Sequence, residues 1–473
     1  MSDGNRAEFP CPRYPEDAGS LRLLGLYDMR AEGLVLQRIR IHAGRLDAPQ
    51  LRVCAELARQ YTPGFPLHLT TRQDVELHGL KPDAVPAVQR GLAGAGLTTL
   101  GAAGDTPRNV TVCPGCGLCA GSVDVSCVAD RLRVCAETLP WIRKLPRKFK
   151  ISVSGCENAA ARPWINDVGL IANADGTFRA IVAGSLGAKP GTGFEAYSGL
   201  GADEVVPLTI AALRLFNAEG DRENRARARL RHVRERLGDA AFIEKLDRLF
   251  REEKETGSWP APEAPAVSDG VPEQARLRLP LGDIEPAAAI ELANAIAEAG
   301  ATLRIGFEHD LFIYGPAPLR LSPDLEALND GPSIVACPGS TWCERGIASS
   351  RDAAAAIRLL LPAGCALCIC LSGCPNNCTH AAVADIGFTG RMKTIEGTRT
   401  ECFRLVAGGD KGRGPALAEE LRAAIPADRV GEAVKLLAAE YAQRRSTADE
   451  SFGAFVRRKK TYLLERLDGV LLG

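Results

Sequence analysis

The sequence predicts an α/β (α+β) fold that is internally duplicated within one chain. The first observation is a strand–helix–strand pattern over residues 33–80, and the second is its return over residues 275–316. The third is that a cysteine-rich block follows each copy, at residues 113–156 and 337–378. Two similar halves are expected to pair with pseudo-twofold symmetry and to form one cofactor site at their interface.

Each copy contains three pieces with the periodicity of regular structure. In the first, LVLQRIRI alternates, AGRLDAPQLRVCAELARQY is helical, and PLHLTTRQDVELHGL alternates again. In the second, ARLRLPLGDI, AAAIELANAIAEAG and ATLRIGFEHDLFIYGP take the same places. Alternation in PLHLTTRQDVELHGL predicts two faces, one with Leu67, Leu69, Val75 and Leu77 and the other with His68, Arg72 and Asp74.

Each cysteine block leads into a short strand, a Gly-rich loop and helices. The most Arg-rich predicted helix is GDRENRARARLRHVRERLGDAAF, which we interpret as a solvated or interface face. A stretch rich in Pro, Ala, Gly and Ser then joins the halves. The predicted units are two half-domains at 21–100 and 274–330, two α/β domains at 101–255 and 331–473, and a linker at 256–273.

The composition argues against partners that recognise a strong net charge. The 473 residues contain 58 acidic and 58 basic side chains, so no overall field attracts the chain to nucleic acid or to a membrane. The first residues lack the basic and apolar regions of a secretory signal. Pro362 and Gly364 interrupt the longest uncharged apolar run. We therefore expect a soluble cytoplasmic protein.

The cysteines indicate metal or redox chemistry. Thirteen of the sixteen fall in the two blocks, and Cys11, Cys54 and Cys402 are interpreted as isolated buried side chains. The second block supplies C-x5-C and then C-x3-C, and four thiolates suit one iron–sulfur cluster. These four candidate ligands are Cys337, Cys343, Cys374 and Cys378.

The first block is an incomplete copy of the second. Cys113 and Cys119 repeat the C-x5-C spacing, and Cys156 matches Cys374. Ala160 stands where the second block has Cys378. The first block therefore cannot supply four equivalent ligands.

Basic residues stand in three motifs before and within the first block. Arg72 lies in TTRQ, Arg108 in DTPRNV, and Lys148 and Lys150 in LPRKFKISVSG. On a strand the two lysines project to one face while Phe149 packs on the other. Arginine binds small oxyanions through forked hydrogen bonds, and lysine adds a charge and a proton.

The order of TTRQ, RNV, LPRKFK, C-x5-C and SGCPNNC resembles the sirohaem-dependent nitrite and sulfite reductase family, from about residue 21 to the C-terminal region. The resemblance implies ferredoxin-like half-domains that pair into one domain and two α/β sirohaem and iron–sulfur domains. It implies that the four cysteines bind a [4Fe–4S] cluster and that Cys378 also bridges to the sirohaem iron. It places Arg72, Arg108, Lys148 and Lys150 around the bound oxyanion and the cofactor.

The resemblance also implies the reaction, which is six-electron reduction of sulfite to sulfide or of nitrite to ammonia. Lys150, which plant-type nitrite reductases replace by asparagine, favours sulfite. Sirohaem carries eight carboxylates, and we expect further basic side chains and the Gly-rich loops at 184–193 and 408–414 to bind them. No flavin or nicotinamide fingerprint is present, so a ferredoxin or a reductase subunit is expected to donate electrons.

Three alternatives stay open at this stage. A second cluster could use Cys113, Cys116 and Cys119 with Cys127, Cys135 or Cys156. The chain could instead be a precorrin-3B synthase-like oxygenase, but the full basic set argues against it. A non-catalytic iron–sulfur electron carrier would not need an anion pocket with four cations.

Overall fold

The first half-domain is a twisted sheet covered by two helices. The computed structural model describes residues 18–330, 332–361, 365–412 and 416–471. Asp47 begins the main helix with a capping box, in which its side chain accepts a hydrogen bond from the Gln50 amide at 2.7 Å. The elements are α1 (Ala18–Leu23), β1 (Leu26–Asp28), β2 (Val35–Ile39), β3 (Arg45–Leu46), α2 (Ala48–Tyr61), β4 (Leu67–Leu69), β5 (Val75–Leu80) and α3 (Val85–Gly94).

The stretch predicted to alternate over residues 66–80 is a hairpin, because the chain turns between β4 and β5. The Thr70 amide donates to the Asp74 carbonyl at 2.9 Å, and Gln73 adopts a left-handed φ of 60°. The predicted apolar face is nevertheless formed, since Leu67 pairs with Leu77 and Leu69 with Val75 across the hairpin. The turn places Arg72 at the end of the sheet.

The first α/β domain has a five-stranded sheet in the order β10-β9-β8-β7-β6. The pairs β6–β7 and β7–β8 are parallel, and the pairs β8–β9 and β9–β10 are antiparallel. The elements are β6 (Thr111–Val112), α4 (Ser126–Glu137), β7 (Ile151–Ser154), β8 (Val168–Ala172), β9 (Phe178–Val182), β10 (Phe194–Leu200), α5 (Val205–Glu219), α6 (Leu230–Leu237) and α7 (Asp239–Thr256).

The Arg-rich stretch predicted as one helix is divided. The Asp221 carboxylate accepts hydrogen bonds from the amides of Glu223 and Asn224 and holds a turn. The helix α6 begins only at Leu230. Gly238, with φ 81°, then separates α6 from α7, because this conformation cannot continue a helix.

The linker is held against the surface of the first α/β domain. It hydrogen-bonds to the loop that carries the first cysteine block, with the Asp124 amide donating to the Ala266 carbonyl and the Ser268 amide to the Ser122 carbonyl, both at 2.8 Å. It leads into the second half-domain, whose elements are β11 (Glu273–Arg278), β12 (Asp283–Ile284), α8 (Pro286–Ala299), β13 (Thr302–Ile305), β14 (Asp310–Tyr314) and α9 (Pro323–Glu326).

The two half-domains exchange short strands. The strand β12 completes the first sheet, in the order β1-β2-β5-β4-β12, and β3 completes the second, in the order β11-β14-β13-β3. His68 thereby pairs with Asp283, and Arg304 with Arg45. The helices α2 and α8 pack together above one shared apolar core. This reciprocal pairing has the pseudo-twofold symmetry expected for a duplication.

The second α/β domain repeats the sheet of the first. Its order is β15-β16-β17-β18-β19, with two parallel pairs followed by two antiparallel pairs. Its elements are β15 (Ile334–Ala336), α10 (Gly339–Trp342), α11 (Ser350–Leu360), β16 (Ile369–Ser372), β17 (Ile386–Ile395), β18 (Thr398–Ala407), β19 (Glu419–Pro426), α12 (Val430–Arg444) and α13 (Phe452–Leu471).

Two of the three isolated cysteines are buried, as predicted. Cys54 lies inside the shared half-domain core and Cys402 in β18, both with no exposed surface. Cys11 lies outside the described residues. Within the described part of the chain, no helix has the length and apolar character needed to cross a membrane.

Candidate active site

One cavity of about 920 Å³ brings together all the site residues predicted from the sequence. Residues from both half-domains and both α/β domains form its wall. The predicted residues that line it are Arg72, Arg108, Lys148, Lys150, Cys337, Cys343, Cys374 and Cys378. The duplication therefore produces one large shared cavity with thiols and cations in it.

The cysteines reach the cavity because two parallel strands end at the same edge. Cys337 follows β15 directly, and Cys374 follows β16 after Gly373. The Gly373 amide donates to the Cys337 sulfur at 3.1 Å, and a Cβ on Gly373 would lie 2.5 Å from the Gly339 Cα. The two loops are thus in close contact, and only glycine fits between them.

The loop of Cys378 is tied to the first half of the chain. The Thr71 hydroxyl donates to the Cys378 carbonyl at 2.7 Å. Thr379 is fixed on the other side, because its amide donates to the Ser372 hydroxyl oxygen at 3.1 Å. Thr71 precedes Arg72 in the β4–β5 turn, so this contact sets the last cysteine against the predicted anion-binding residues.

The Cys337 and Cys374 thiols of the cavity have raised pKa values and would ionise more readily beside a positively charged group. Burial raises the pKa of Cys337 to about 12 and that of Cys374 to about 11, and a negative charge on Cys378 adds to both. An iron cluster would supply the positive charge that lets the thiols ionise. In the described part of the chain, no three His, Cys, Asp or Glu side chains converge on a single ion. Four thiols that line one cavity suit a cluster, whose irons each take one thiolate.

Arg72 and Arg108 offer unpaired donors in the cavity wall. The Arg72 guanidinium donates from Nη1 to the Asn166 side-chain oxygen at 3.0 Å and from Nη2 to the Asn109 carbonyl at 2.6 Å. Its Nε and the Nη1 of Arg108 are buried without a protein partner. Because a buried donor without an acceptor is costly, these two nitrogens fit an anionic ligand.

Lys148 and Lys150 line the cavity while Phe149 faces the core, as the sequence predicts. Phe149 has no exposed surface and its ring lies 5.7 Å from that of Phe216. The strand β7 begins only at Ile151, so the lysines lie on the extended chain before it. The Asp167 carboxylate fixes this segment by accepting from the Lys150 amide at 2.7 Å and from Arg229 at 2.5 Å.

Burial perturbs both lysines. Burial lowers the pKa of Lys148 to about 7, although a negative charge on Cys378 acts in the opposite direction and raises this pKa. Burial, with Arg72 and Lys148, lowers the pKa of Lys150 well below its usual range. A bound anion would favour the charged form of each lysine, and the Lys148 ammonium can give up a proton near neutral pH.

The cavity holds more cations than the sequence analysis assigned. Of the described residues that line it, twelve are Arg or Lys and five are Asp or Glu. The additional cations are Arg22, Arg38, Arg143, Lys144, Arg147, Arg222, Arg225 and Arg345. Arg222 and Arg225 come from the Arg-rich stretch, which therefore contributes an interface face. The additional cations could not be recognised from the sequence as cavity residues, because they converge from distant segments of the chain.

The Gly-rich loops do not contribute to the cavity as expected. Gly184 packs against the Trp164 carbonyl, Gly191 against Arg231, and Gly408 against Val456. None of the described residues in 184–193 and 408–412 lines the cavity, and residues 413 and 414 lie outside the described residues. These glycines serve close packing.

The first cysteine block repeats a contact of the second but lacks its last cysteine. The Gly155 amide donates to the Cys113 sulfur at 3.1 Å, which repeats the contact between Gly373 and Cys337. Hydrogen bonds that the Cys113 thiol donates to Cys116 and Cys156 raise the pKa of Cys113 well above its usual value. Ala160 occupies the place of Cys378, so the block does not reproduce the four-cysteine set.

The second half of the chain has other residues at two positions where the first half has cavity cations. The Lys150 amide donates to Asp167 at 2.7 Å, and the equivalent Cys368 amide donates to Asp385 at 2.8 Å. Likewise, the amide–carbonyl contact of the Arg72 turn recurs between Gly306 and Asp310, at 2.8 Å. Glu308 and Cys368 therefore replace Arg72 and Lys150, and the second copy cannot bind an oxyanion in the same way.

Comparison with known proteins decides the family. Residues 103–254 and 329–459 match the model of the nitrite and sulphite reductase 4Fe-4S domain. Residues 27–95 match the nitrite/sulfite reductase ferredoxin-like half domain. The chain belongs to the nitrite and sulfite reductase family. It is an oxidoreductase of the sirohaem-dependent type, and its reaction is the six-electron reduction of a small oxyanion.

The relatives cover most of this reductase. An assimilatory ferredoxin-dependent nitrite reductase of Haloferax mediterranei is 28% identical over 91% of this chain and 83% of its own. A ferredoxin–nitrite reductase of Leptolyngbya laminosa is 28% identical over 89% of both chains. A ferredoxin sulfite reductase of Mycobacterium tuberculosis is 27% identical over 93% of this chain and 88% of its own.

A solved structure confirms the fold of the reductase. The Mycobacterium tuberculosis NirA protein superposes with a TM-score of 0.79 and covers 94% of this chain and 90% of its own, at 24% identity. The paired ferredoxin-like half-domains and the two α/β domains are thus the architecture of the family.

The residues in the cavity fit the cofactors of the family, which are sirohaem and one [4Fe–4S] cluster. Four thiols on one wall suit the cluster, and the excess of cations suits a tetrapyrrole with eight carboxylates. The unpaired hydrogen-bond donors of Arg72 and Arg108 can bind an anion.

Proposed function

We propose that this reductase converts sulfite to sulfide and that Lys150 carries the preference for sulfite. Lys150 and Lys148 face one cavity together with Arg72 and Arg108. Among the described residues that line the cavity, no carboxylate forms an ion pair with either lysine or with these two arginines. A sulfite dianion would neutralise more of this charge than a nitrite monoanion.

The cysteines have the following proposed roles. Cys337, Cys343, Cys374 and Cys378 would hold the [4Fe–4S] cluster, and Cys378 would also be a ligand to sirohaem. When bound, the two cofactors would pass electrons from the donor to the oxyanion. The hydrogen bond from Thr71 holds the Cys378 loop at 2.7 Å and so fixes the shared ligand.

The basic residues bind, orient and protonate the substrate in this proposal. Arg72 Nε and Arg108 Nη1 donate hydrogen bonds to its oxygens, because both nitrogens lack a protein acceptor. Lys148 and Lys150 release protons as oxygen leaves as water, because burial has lowered the pKa of each. The remaining cations of the cavity bind the carboxylates of sirohaem.

The electron donor is proposed to be a ferredoxin. The three relatives named above carry ferredoxin in their names, and this chain lacks a nicotinamide or flavin fingerprint.

Nitrite is the second candidate substrate. The Haloferax and Leptolyngbya relatives are nitrite reductases by name, at the same 28% identity. The Mycobacterium relative is a sulfite reductase at 27% identity, so overall similarity does not separate the two substrates.

Comparison of kcat/KM for sulfite and nitrite, with one reduced donor, tests the preference. We expect the higher value for sulfite, and a higher value for nitrite would reverse the proposal. The absorption spectrum of the anaerobically purified protein should show the Soret and red bands of sirohaem. Iron analysis should give about five atoms per chain, whereas about nine would indicate a second cluster in the first cysteine block.

A further inference from the structure

A second cavity, of about 290 Å³, lies beside the first and has its own set of cations. It is formed where the chain leaves β2 and meets α4, between the first half-domain and the first α/β domain. Arg40, His42, Arg133, Glu137 and Arg143 line it. Arg143 lines the principal cavity as well, so the two spaces are neighbours.

Three side-chain nitrogens in this wall are buried and have no partner. They are Arg40 Nε, Arg133 Nε and His42 Nδ1. Arg40 is only 5% exposed, and its Nη1 donates to the Glu137 carboxylate at 3.1 Å and to the Leu100 carbonyl at 3.4 Å. A buried guanidinium nitrogen without an acceptor costs free energy, and a ligand oxygen would satisfy it.

The charge of the wall is positive. Glu137 is the one carboxylate among the described residues that line this cavity, and it pairs with both Arg40 and Arg133. His42 adds no charge near neutral pH, because burial, with Arg40, Arg133 and Arg45, lowers its pKa to about 3. Three guanidinium groups therefore face a single carboxylate.

The size of the cavity sets the class of ligand. A water molecule occupies about 30 Å³ of liquid volume, so the space accepts a three- or four-oxygen anion with several waters. Sirohaem is too large for it. Thr98 and Thr106 also line the space, and a threonine hydroxyl can donate to the same anion.

We propose that this cavity is a second anion-binding site, which takes one small oxyanion of the sulfite or phosphate class through Arg40, Arg133 and His42. It is separate from the site of reduction and does not depend on which oxyanion the reductase reduces. Because Arg143 belongs to both walls, an anion held here lies next to the principal cavity.

The test is titration calorimetry on the holoenzyme after cyanide has saturated the sirohaem iron. Sulfite and inorganic phosphate are titrated separately, and we expect one bound anion per chain. Tighter binding of sulfite would identify the substrate as the occupant, and tighter binding of phosphate would identify a free effector. Either result supports the site.

Arg133→Gln is the test variant, because this side chain is 26% exposed and its loss should not unfold the protein. We expect it to weaken anion binding by about tenfold or more, since a charge-assisted hydrogen bond is lost. Arg131→Gln is the matched control on the same helix, outside the cavity, and should bind within about twofold of wild type.

Two results would overturn the proposal. One is the absence of binding in the cyanide complex, which would mean that water or a sirohaem carboxylate fills the space. The other is equal affinity in Arg133→Gln and wild type. Failure of the proposed substrate preference would be seen separately, in the kinetic comparison of sulfite and nitrite.

Discussion

Arg162 donates from Nη1 to His380 Nδ1 at 2.6 Å, although 218 residues separate them in the chain. Both residues adopt the left-handed conformation, with φ of 56° and 66°, and each precedes a short 3-10 turn. They are the same position in the two copies, and they meet where the copies face each other. Arg162 also pairs with Glu308 at 2.9 Å, so the contact joins the first α/β domain to the second half-domain.

Replacement of Arg162 should destabilise this junction. Arg162→Met removes a buried guanidinium from the Glu308 carboxylate, which is 18% exposed, and the donor from His380, and we expect a loss of about 3 kcal/mol in the free energy of unfolding. Glu308 keeps Lys411 as a partner, which limits the loss. Urea unfolding of the purified variant measures it.

Arg179→Met is the control for that measurement. Arg179 pairs with Glu195 between β9 and β10, and the two side chains are 36% and 33% accessible, so we expect a loss of less than about 1 kcal/mol. Equal losses in the two variants would show that the Arg162 junction has no special role.

The fold was predictable to the extent that repeats and periodicity describe it. The duplicated order, the C-x5-C and C-x3-C cysteine spacing and the opposite faces of Phe149 and the two lysines could all be read from local patterns. The strand exchange could not, because β3 and β12 have two residues each and give no periodic signal. The same holds for cavity cations such as Arg143 and Arg345, which only tertiary packing brings together.

Removal of Cys378 should damage the reductase more than removal of a first-block cysteine. Cys378→Ser takes away the ligand that the first copy lacks, and we expect sulfite and nitrite reduction to fall by about a hundredfold or more. Cys156→Ser changes the matching block and should keep most of the activity. Wild-type activity in Cys378→Ser would contradict the assignment of the cluster ligands.

Lys150→Asn should shift the substrate preference toward nitrite. The substitution keeps a hydrogen-bonding side chain but removes one positive charge from the cavity, and a dianion loses more from this than a monoanion. We expect the ratio of kcat/KM for sulfite over nitrite to fall by about tenfold. An unchanged ratio would show that Lys150 does not select the substrate.

Binding of nitrite should weaken as the pH rises through about 7, where Lys148 loses its proton. A lysine is charged below its pKa, and burial has brought that pKa down, so the attraction is fully present only on the acid side. Nitrite is the better probe because it keeps a single charge in this range. Arginine stays charged over this range, so the KM of the Lys148→Arg variant for nitrite should change much less between pH 6 and 9. These pH values lie about one to two units on either side of the pKa of Lys148.

Gly373→Ala should prevent proper assembly of the cluster site. The added Cβ would lie 2.5 Å from the Gly339 Cα and 2.7 Å from the Ala348 carbonyl oxygen, which forces the loops of Cys337 and Cys374 apart. We expect most of the cluster iron to be lost. Gly94→Ala, at the end of α3 with open space around it, is the control and should retain iron as wild type does.

The strand exchange between the half-domains has a consequence for cleavage of the chain. A protease that cut the linker would leave two fragments, yet β12 would still complete the first sheet and β3 the second. The fragments should therefore stay together as one particle and keep the cavity closed. Either fragment produced alone would leave an unpaired sheet edge and the uncovered side of α2 or α8, and should aggregate.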